Sequence, residues 1–208
     1  MKKLMIGCLA GVLAAGGVAN AAVLDFVAEA AGNERGVADG TVIVMDGLAV
    51  TFSAGPGGAS YTYFDDVFNG NPAGLGVCQS LTGPPPALCA NTGDDNIRSG
   101  ESVKLTFPAP MNLSGFSFSN RDHLSLNAST KTLLLNGVAF TFADVVNLTA
   151  AVVAVVSGVA SIEFAFGGSN AAEFYVNGFT AVPLPAAAPL LLAGLAGLSF
   201  ASRRRKVQ

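Results

Sequence analysis

The sequence predicts an all-β fold, an antiparallel β-sandwich of the jelly-roll type, over residues 22–181. Short runs rich in Val and Phe alternate apolar with polar residues, which is the period of a strand with one buried face. Asp-Gly and Asn-Gly dipeptides stand between such runs, and no convincing amphipathic helical pattern is present. Many strands without intervening helices favour two packed antiparallel sheets, although a Greek-key order cannot be deduced.

Two β-hairpins are the strongest local signals. Asp46-Gly47 separates the runs 41–45 and 48–52, and Asn136-Gly137 separates the runs 132–135 and 138–142. Both dipeptides tolerate the positive φ angles that a type I′ turn requires. We therefore expect two tight hairpins at these places.

The rest of the domain supplies further strands and loops. Alternation and β-branched residues predict strands at 60–64, 102–107, 113–119, 145–156, 160–166 and 174–181. The part 149–156 is apolar enough for a short helix, but its Val content and the following Gly158 favour a strand. Gly and Pro density predicts loops at 54–58, 69–76 and 83–86.

The N-terminal segment has the pattern of an export signal. Lys2 and Lys3 precede an apolar run over 4–18, and Ala19-Asn20-Ala21 then forms a small-x-small cleavage site. This order predicts a signal peptide over residues 1–21 that is removed on export. A permanent anchor is the weaker alternative, because a spanning helix needs about 20 apolar residues.

The C-terminal segment, 182–208, combines a helix-breaking motif, an apolar stretch and a basic stop. The motif is Val182, Pro183, Leu184, Pro185 and Ala186, and the basic stop is Arg203, Arg204, Arg205 and Lys206. A helix over 186–201 would be about 24 Å long, slightly less than a hydrocarbon core of about 30 Å. The clustered cations would stay in the cytoplasm and leave the preceding domain outside. A plain tail anchor is the alternative.

This tail closely resembles the VPLPA-type subgroup of PEP-CTERM sorting domains, in which VPLPA, an apolar PLLL run and RRRK follow in that order. The resemblance implies that an exosortase recognises the motif at Val182, Pro183, Leu184, Pro185 and Ala186 and removes the tail during export. The cleavage point is not implied. A softer resemblance to the middle of some PEP-CTERM proteins covers 74–78, Cys89 and 94–107, and it implies a shared β-sandwich without a known activity.

The charge of the domain excludes one class of partner. All 14 acidic residues lie between Asp25 and Glu173, where only 5 basic residues occur, so the domain carries a net charge of −9. Binding to nucleic acid depends on clustered Lys and Arg. The sequence therefore predicts no nucleic-acid partner and favours cations or neutral sugars.

Cys78 and Cys89 are the cysteines that remain after removal of the signal peptide, which contains Cys8. An even pair at this spacing in an exported protein predicts a disulfide. A metal site is the alternative, but it needs further Cys or His nearby, and the chain has one His.

An acidic cluster after Gly93 suggests a cation site. Ca²⁺ takes oxygen ligands from Asp, Asn and backbone carbonyls in irregular loops. We expect candidate Ca²⁺ ligands at Asp94, Asp95, Asn96 and Glu101. The spacing is not that of an EF-hand, and a solvated acidic turn is the alternative.

No catalytic residue is assigned from the sequence. His123 is the one histidine, no G-x-S-x-G motif occurs, and a lone His in a turn is expected to be solvated. A glycoside hydrolase would need two carboxyl groups about 5 to 9.5 Å apart. The candidates are Asp65, Asp66, Asp94, Asp95, Glu101, Asp122, Glu163 and Glu173.

Sugar binding usually needs an exposed aromatic platform. Tyr61, Tyr63 and Tyr175 are the candidates, and packing within the sheet is the favoured interpretation of the first two. The sequence thus predicts a non-enzymatic exported surface or matrix protein that crosses the inner membrane, is processed by an exosortase and associates with exopolysaccharide. The alternative is a secreted carbohydrate-active enzyme on the same scaffold.

Overall fold

The computed structural model describes residues 20–56, 60–68, 70–91, 93 and 95–184. Across that part the chain is mostly antiparallel β-sheet, which confirms the all-β prediction. The strands are β1 Ala22–Asp25, β2 Arg35–Val37, β3 Thr41–Met45, β4 Leu48–Gly55, β5 Tyr61–Phe68, β6 Asn71–Cys78, β7 Leu81–Thr82, β8 Leu88–Cys89, β9 Ser102–Asn120, β10 Thr132–Leu135, β11 Val138–Thr141, β12 Val159–Ala165 and β13 Phe174–Pro183. The helices are α1 Phe26–Ala30, α2 Phe142–Val146 and α3 Ala150–Val156.

Strand β9 organises the sheet because it pairs with different neighbours along its 19 residues. Its first part lies between β4 and β12, and its second part pairs with β13. Pro108 and Pro110 fall between these two parts. Their lack of N–H groups therefore removes no hydrogen bond from the pairing of β9 with its neighbours. The sequence predicted two separate strands here, and the structure joins them into one.

Aromatic side chains form a core between strands that are not hydrogen-bonded neighbours in the sheet. Phe52 of β4 lies 5.5 Å from Phe64 of β5, measured between ring centroids, and Phe164 of β12 lies 5.9 Å from Phe179 of β13. All four side chains are buried. Edge-to-face and tilted aromatic pairs of this kind stabilise beyond the area that they bury.

Both predicted hairpins are present. Strand β3 pairs with β4, and β10 pairs with β11. Asp46 and Asn136 have φ angles of 47° and 49°, and the glycine that follows each is also at positive φ. The turn residues therefore have the conformation that the dipeptides predicted.

The predicted strand at 145–156 is wrong, because this segment forms α2 and α3. Thr141 and Asp144 form a capping box at the start of α2, in which each side chain binds the other residue's backbone N–H. Val152 and Val156 of α3 are buried, one turn apart on one face. Tertiary packing of that face overrides the β preference of Val.

The predicted loop at 69–76 is also wrong over most of its length. Strand β6 runs from Asn71 to Cys78 and pairs with β5 along its length. Gly74 and Gly76 are not loop glycines, because they allow other backbone segments to approach the strand closely.

The predicted disulfide is present between Cys78 and Cys89. It joins the end of β6 to β8, and both cysteines pack against Tyr63. The ring of Tyr63 is 1% exposed, so this tyrosine packs in the core, as the sequence favoured, and is not a platform.

Strand β13 extends into the predicted sorting motif. Val182 pairs with Asn112, Pro183 pairs with Met111, and the N–H of Leu184 donates to the carbonyl of Pro110 at 3.2 Å. Residues 1–19 of the predicted signal, Pro185, Ala186 and the basic stop lie outside the described residues. Within residues 20–184, as far as they are described, no helix is long and apolar enough to cross a membrane.

Candidate functional site

A polar cleft of about 350 Å³ is the candidate site. It lies between β5, the start of β13, and the loops that precede and follow β9. Its titratable lining includes the carboxyl groups of Glu34, Asp65, Asp95 and Asp122 and the basic side chains of Arg121 and His123. Sites for small ligands usually have about 300 to 1,000 Å³, so the volume is at the lower end of that range.

A tight turn after β9 places His123 in the cleft. The side-chain oxygen of Asn120 accepts hydrogen bonds from the N–H groups of Asp122 and Leu124 at 2.9 and 2.8 Å. The turn holds His123 at a φ of 61°, which is uncommon for a residue with a side chain. Such conformations cost free energy and cluster at functional sites.

The ring of His123 is held at both nitrogens. Nδ1 lies 2.9 Å from the carbonyl oxygen of Asn71, and Nε2 lies 3.1 Å from Oδ2 of Asp65. Both partners are acceptors, so they favour the protonated form of the ring, which can donate from both nitrogens. Burial lowers the pKa of His123, but the hydrogen bonds to Asp65 and Asn71 outweigh it, and the pKa lies above its ordinary value.

This arrangement corrects the expectation that His123 is solvated. Its exposed fraction is 9%, and its ring packs edge-on against Tyr175 with the centroids 5.1 Å apart. The lone histidine is therefore buried beside the carboxyl group of Asp65, with which its protonated form makes an ion pair. Its partner Asp65 is 8% exposed, so removal of either member would leave a charge in a desolvated place.

Tyr175, which packs against His123, also binds Asp95. The hydroxyl of Tyr175 donates to Oδ1 of Asp95 at 2.6 Å. Burial raises the pKa of the Asp95 carboxyl to about 6, the charge of Asp65 adds to the rise, and the hydrogen bond from Tyr175 opposes it. Burial and the charges of Asp65 and Asp95 also raise the pKa of Tyr175, which keeps its proton.

Gly76 explains how the loop with Asp95 and Asn96 reaches the sheet. A β-carbon at Gly76 would overlap the backbone carbonyl oxygen of Asp95. Asn96 is 3% exposed, and its Oδ1 receives no hydrogen bond from the residues that the structure describes. An unsatisfied buried acceptor costs about 1 to 3 kcal/mol.

The structure brings together only part of the predicted Ca²⁺ ligand set. Asp95 and Asn96 both line the cleft. Glu101 instead accepts from Gln79 and from the N–H of Arg98, and it pairs with the Arg98 side chain at 3.5 Å. Asp94 lies outside the described residues. Among the residues that are described, no group of three His, Cys, Asp or Glu is arranged to hold a metal ion.

Sequence reasoning missed the pairing of Asp65 with His123 and the presence of Glu34 at the cleft. Glu34 accepts a hydrogen bond from the hydroxyl of Tyr63. No local pattern signals these contacts, because the partners are far apart in the chain, 29 residues in the case of Glu34 and Tyr63. Of the eight carboxyl groups considered for catalysis, the cleft brings together Asp65, Asp95 and Asp122.

Comparisons with protein-family models, with curated proteins and with solved structures find no match in any of the three.

Asp95→Asn is expected to stabilise the domain at neutral pH. The pKa of Asp95 is raised from 3.8 to about 6, so between these values the folded state keeps a proton that the unfolded chain has lost. The free energy of unfolding therefore falls as the pH rises through that window, and the ionised carboxyl remains destabilising above it. The melting temperature, measured between about pH 4 and 8, should fall less with rising pH in Asp95→Asn than in the wild type.

His123 contributes a second decrease in the free energy of unfolding at higher pH. Its raised pKa stabilises the folded state below about pH 6.5, and this stabilisation is lost as the pH rises through the folded-state pKa. Asp122→Asn, which neutralises an exposed carboxyl at the same cleft, is the matched control and should leave the profile as it is. Parallel profiles for Asp95→Asn and the wild type would contradict the assignment.

Proposed function

We propose that this chain is an exported bacterial surface or extracellular-matrix protein that is sorted and processed by an exosortase. The observation that carries the proposal is the order of features in the tail, where Val182-Pro183-Leu184-Pro185-Ala186 precedes an apolar run and the basic stop at 203–206. The Cys78–Cys89 disulfide supports export, since disulfides form and persist in oxidising compartments. The route includes an intermediate in the inner membrane.

The domain itself is proposed to be non-enzymatic and to associate with exopolysaccharide. Its net charge of −9 disfavours anionic partners such as nucleic acid. A jelly-roll-like β-sandwich arrangement of the strands is part of the same proposal, as the scaffold on which the cleft is displayed. Calcium, with Asp95 and Asn96 among its ligands, is proposed as an optional cofactor.

Mass spectrometry of the exported protein tests the sorting proposal. Cells with the exosortase should release material that lacks Arg203-Arg204-Arg205, and cells without it should retain those residues. A variant with Val182 and Leu184 changed to Ala should retain the tail even in cells with the exosortase, as the wild type does in cells without it. Released protein with an intact tail in both strains would refute processing.

A carbohydrate-active enzyme is the second candidate, and one observation favours it. Asp95 and Asp65 share the cleft, and burial raises the pKa of Asp95 to about 6, so this carboxyl keeps its proton to a higher pH than an ordinary aspartate does. A glycosidase uses two carboxyl groups, and the pKa of the one that acts as the acid is raised. Release of reducing ends that Asp95→Asn abolishes would establish the enzyme.

A further inference from the structure

We infer that the folded domain shields the first three residues of the sorting motif, which must detach from β9 before the exosortase can remove the tail. This inference rests on the proposed sorting and adds a conformational step to it. The step concerns Val182, Pro183 and Leu184, the part of the motif that the structure describes.

The end of β13 is held to β9 through the backbone. Val182 pairs with Asn112, and the N–H of Leu184 donates to the carbonyl oxygen of Pro110 at 3.2 Å. Hydrogen-bonded pairs alternate along an antiparallel ladder, so the pair of Val182 and Asn112 is the next hydrogen-bonded one. The main-chain groups on this edge of the motif are therefore occupied by the protein's own sheet.

The side chains of the motif are partly covered as well. Val182 and Pro183 are half-buried, and Leu184 is 45% exposed. Leu184 lies beside the turn that follows α3, because a β-carbon at Gly158 would be 3.6 Å from its Cδ1. The N–H of Gly158 donates to Oδ1 of Asn112 at 2.9 Å, which holds this turn against β9. An extended peptide is usually recognised through main-chain groups and alternate side chains, and the docked strand offers only part of them.

The chain between the docked strand and the predicted apolar stretch is short. Leu184 and Ala186 are two residues apart, so their α-carbons are separated by at most about 7 Å. This distance is less than the diameter of one α-helix, about 10 Å, and leaves an enzyme little room at the motif. Detachment of 182–184 extends the limit to about 17 Å, measured from Ala181.

Few contacts oppose this detachment. Pro110 has no N–H, so it cannot return a hydrogen bond to the carbonyl of Leu184, and their pair has one hydrogen bond instead of two. On the other edge of β13, the described residues pair it with β1 only as far as Ala181. Segments with few hydrogen bonds and few buried contacts open locally while the core stays folded.

Two substitutions on β9 change the docking without altering the motif. Pro110→Val adds an N–H that faces the carbonyl of Leu184, so it should slow the loss of the tail about two- to tenfold. Asn112→Pro removes an N–H that faces Val182 and should accelerate the loss by a similar factor. The reason is that the rate of capture is proportional to the detached fraction. Pulse labelling of cells with the exosortase, followed by mass spectrometry of the C-terminal peptide, measures both rates.

Each substitution has a matched control. Pro108→Val makes the same change on β9 at a residue without a described partner in β12 or β13, and it should lose the tail at the wild-type rate. Asn112→Ala removes the acceptor for the N–H of Gly158, as Asn112→Pro does, but keeps its own N–H. It should therefore lose the tail more slowly than Asn112→Pro.

Hydrogen exchange measures the docking without the enzyme. The full chain is purified in detergent micelles from cells that lack the exosortase. In this protein the N–H of Leu184 should exchange at least about tenfold more slowly than in an isolated peptide of residues 180–186. Pro110→Val should slow the exchange further, and Pro108→Val should not.

Three results would overturn the inference. The first is a Leu184 N–H that exchanges as fast in the wild-type protein as in the peptide. The second is equal rates of tail loss for Pro110→Val, Asn112→Pro and the wild type. The third is an acceleration by Cys78→Ala/Cys89→Ala as large as that by Asn112→Pro, which would assign exposure of the motif to global unfolding. A wild-type tail that is retained in cells with the exosortase instead refutes the sorting proposal and leaves the docking to be judged by the exchange.

Discussion

Gly76→Ala should destabilise the domain by about 1 to 3 kcal/mol or more and displace the loop that carries Asp95 and Asn96. The new methyl group would overlap the carbonyl oxygen of Asp95, and it would also approach the α-carbon of Asn96. The obstacle is backbone on both sides, so a change of rotamer cannot relieve it. The loop must move away from β6, and the cleft loses one of its walls.

Thermal unfolding and the NMR signals of the His123 ring, the one histidine of the chain, measure this effect. A loss of 1 kcal/mol lowers the melting temperature by about 2 to 4 °C in a domain of this size, so a fall of several degrees is expected. Gly93→Ala is the matched control, because a β-carbon there would lie 3.8 Å from the nearest atom, Oδ1 of Asn91. Equal melting temperatures for the two variants would show that the loop does not pack against Gly76 as described.

Removal of the Cys78–Cys89 disulfide is expected to cost about 2.8 kcal/mol. The bond closes a loop of about 12 residues, and the chain-entropy model gives this value for a loop of that length. The double variant Cys78→Ala/Cys89→Ala should therefore melt about 6 to 11 °C below the wild type. Treatment of the wild type with a reductant should reproduce most of the fall.

The disulfide also supports one edge of the cleft. Tyr63 accepts a hydrogen bond from the N–H of Cys89 at 3.1 Å and donates one to Glu34. Because the cysteines pack against Tyr63, the double variant should loosen Glu34 but leave the pair of His123 and Asp65 in place. A reductant that leaves the melting temperature of the wild type unchanged would contradict a stabilising disulfide.

Local rules explain what could be predicted about the fold. The hairpins at Asp46-Gly47 and Asn136-Gly137 depend on the φ preferences of adjacent residues, which any context respects. The Cys78–Cys89 pair follows from its spacing and from the export context. The segment 145–156 was predicted wrongly, because its Val residues suit a strand, while the capping box at Thr141 and Asp144 and the buried face of α3 make it helical.

The sequence by itself determined the strand-rich composition, the two hairpins, the cysteine pair and the patterns that predict export and sorting, since all of these depend on residues close together in the chain. Only the tertiary structure decided the cleft. Tyr175 and Asp95 are 80 residues apart, and His123 and Asn71 are 52 apart, yet each pair is within hydrogen-bonding distance. Strand pairing and the space left by Gly76 bring these groups together, and burial then raises the pKa values of Asp95 and Tyr175, which no local pattern encodes.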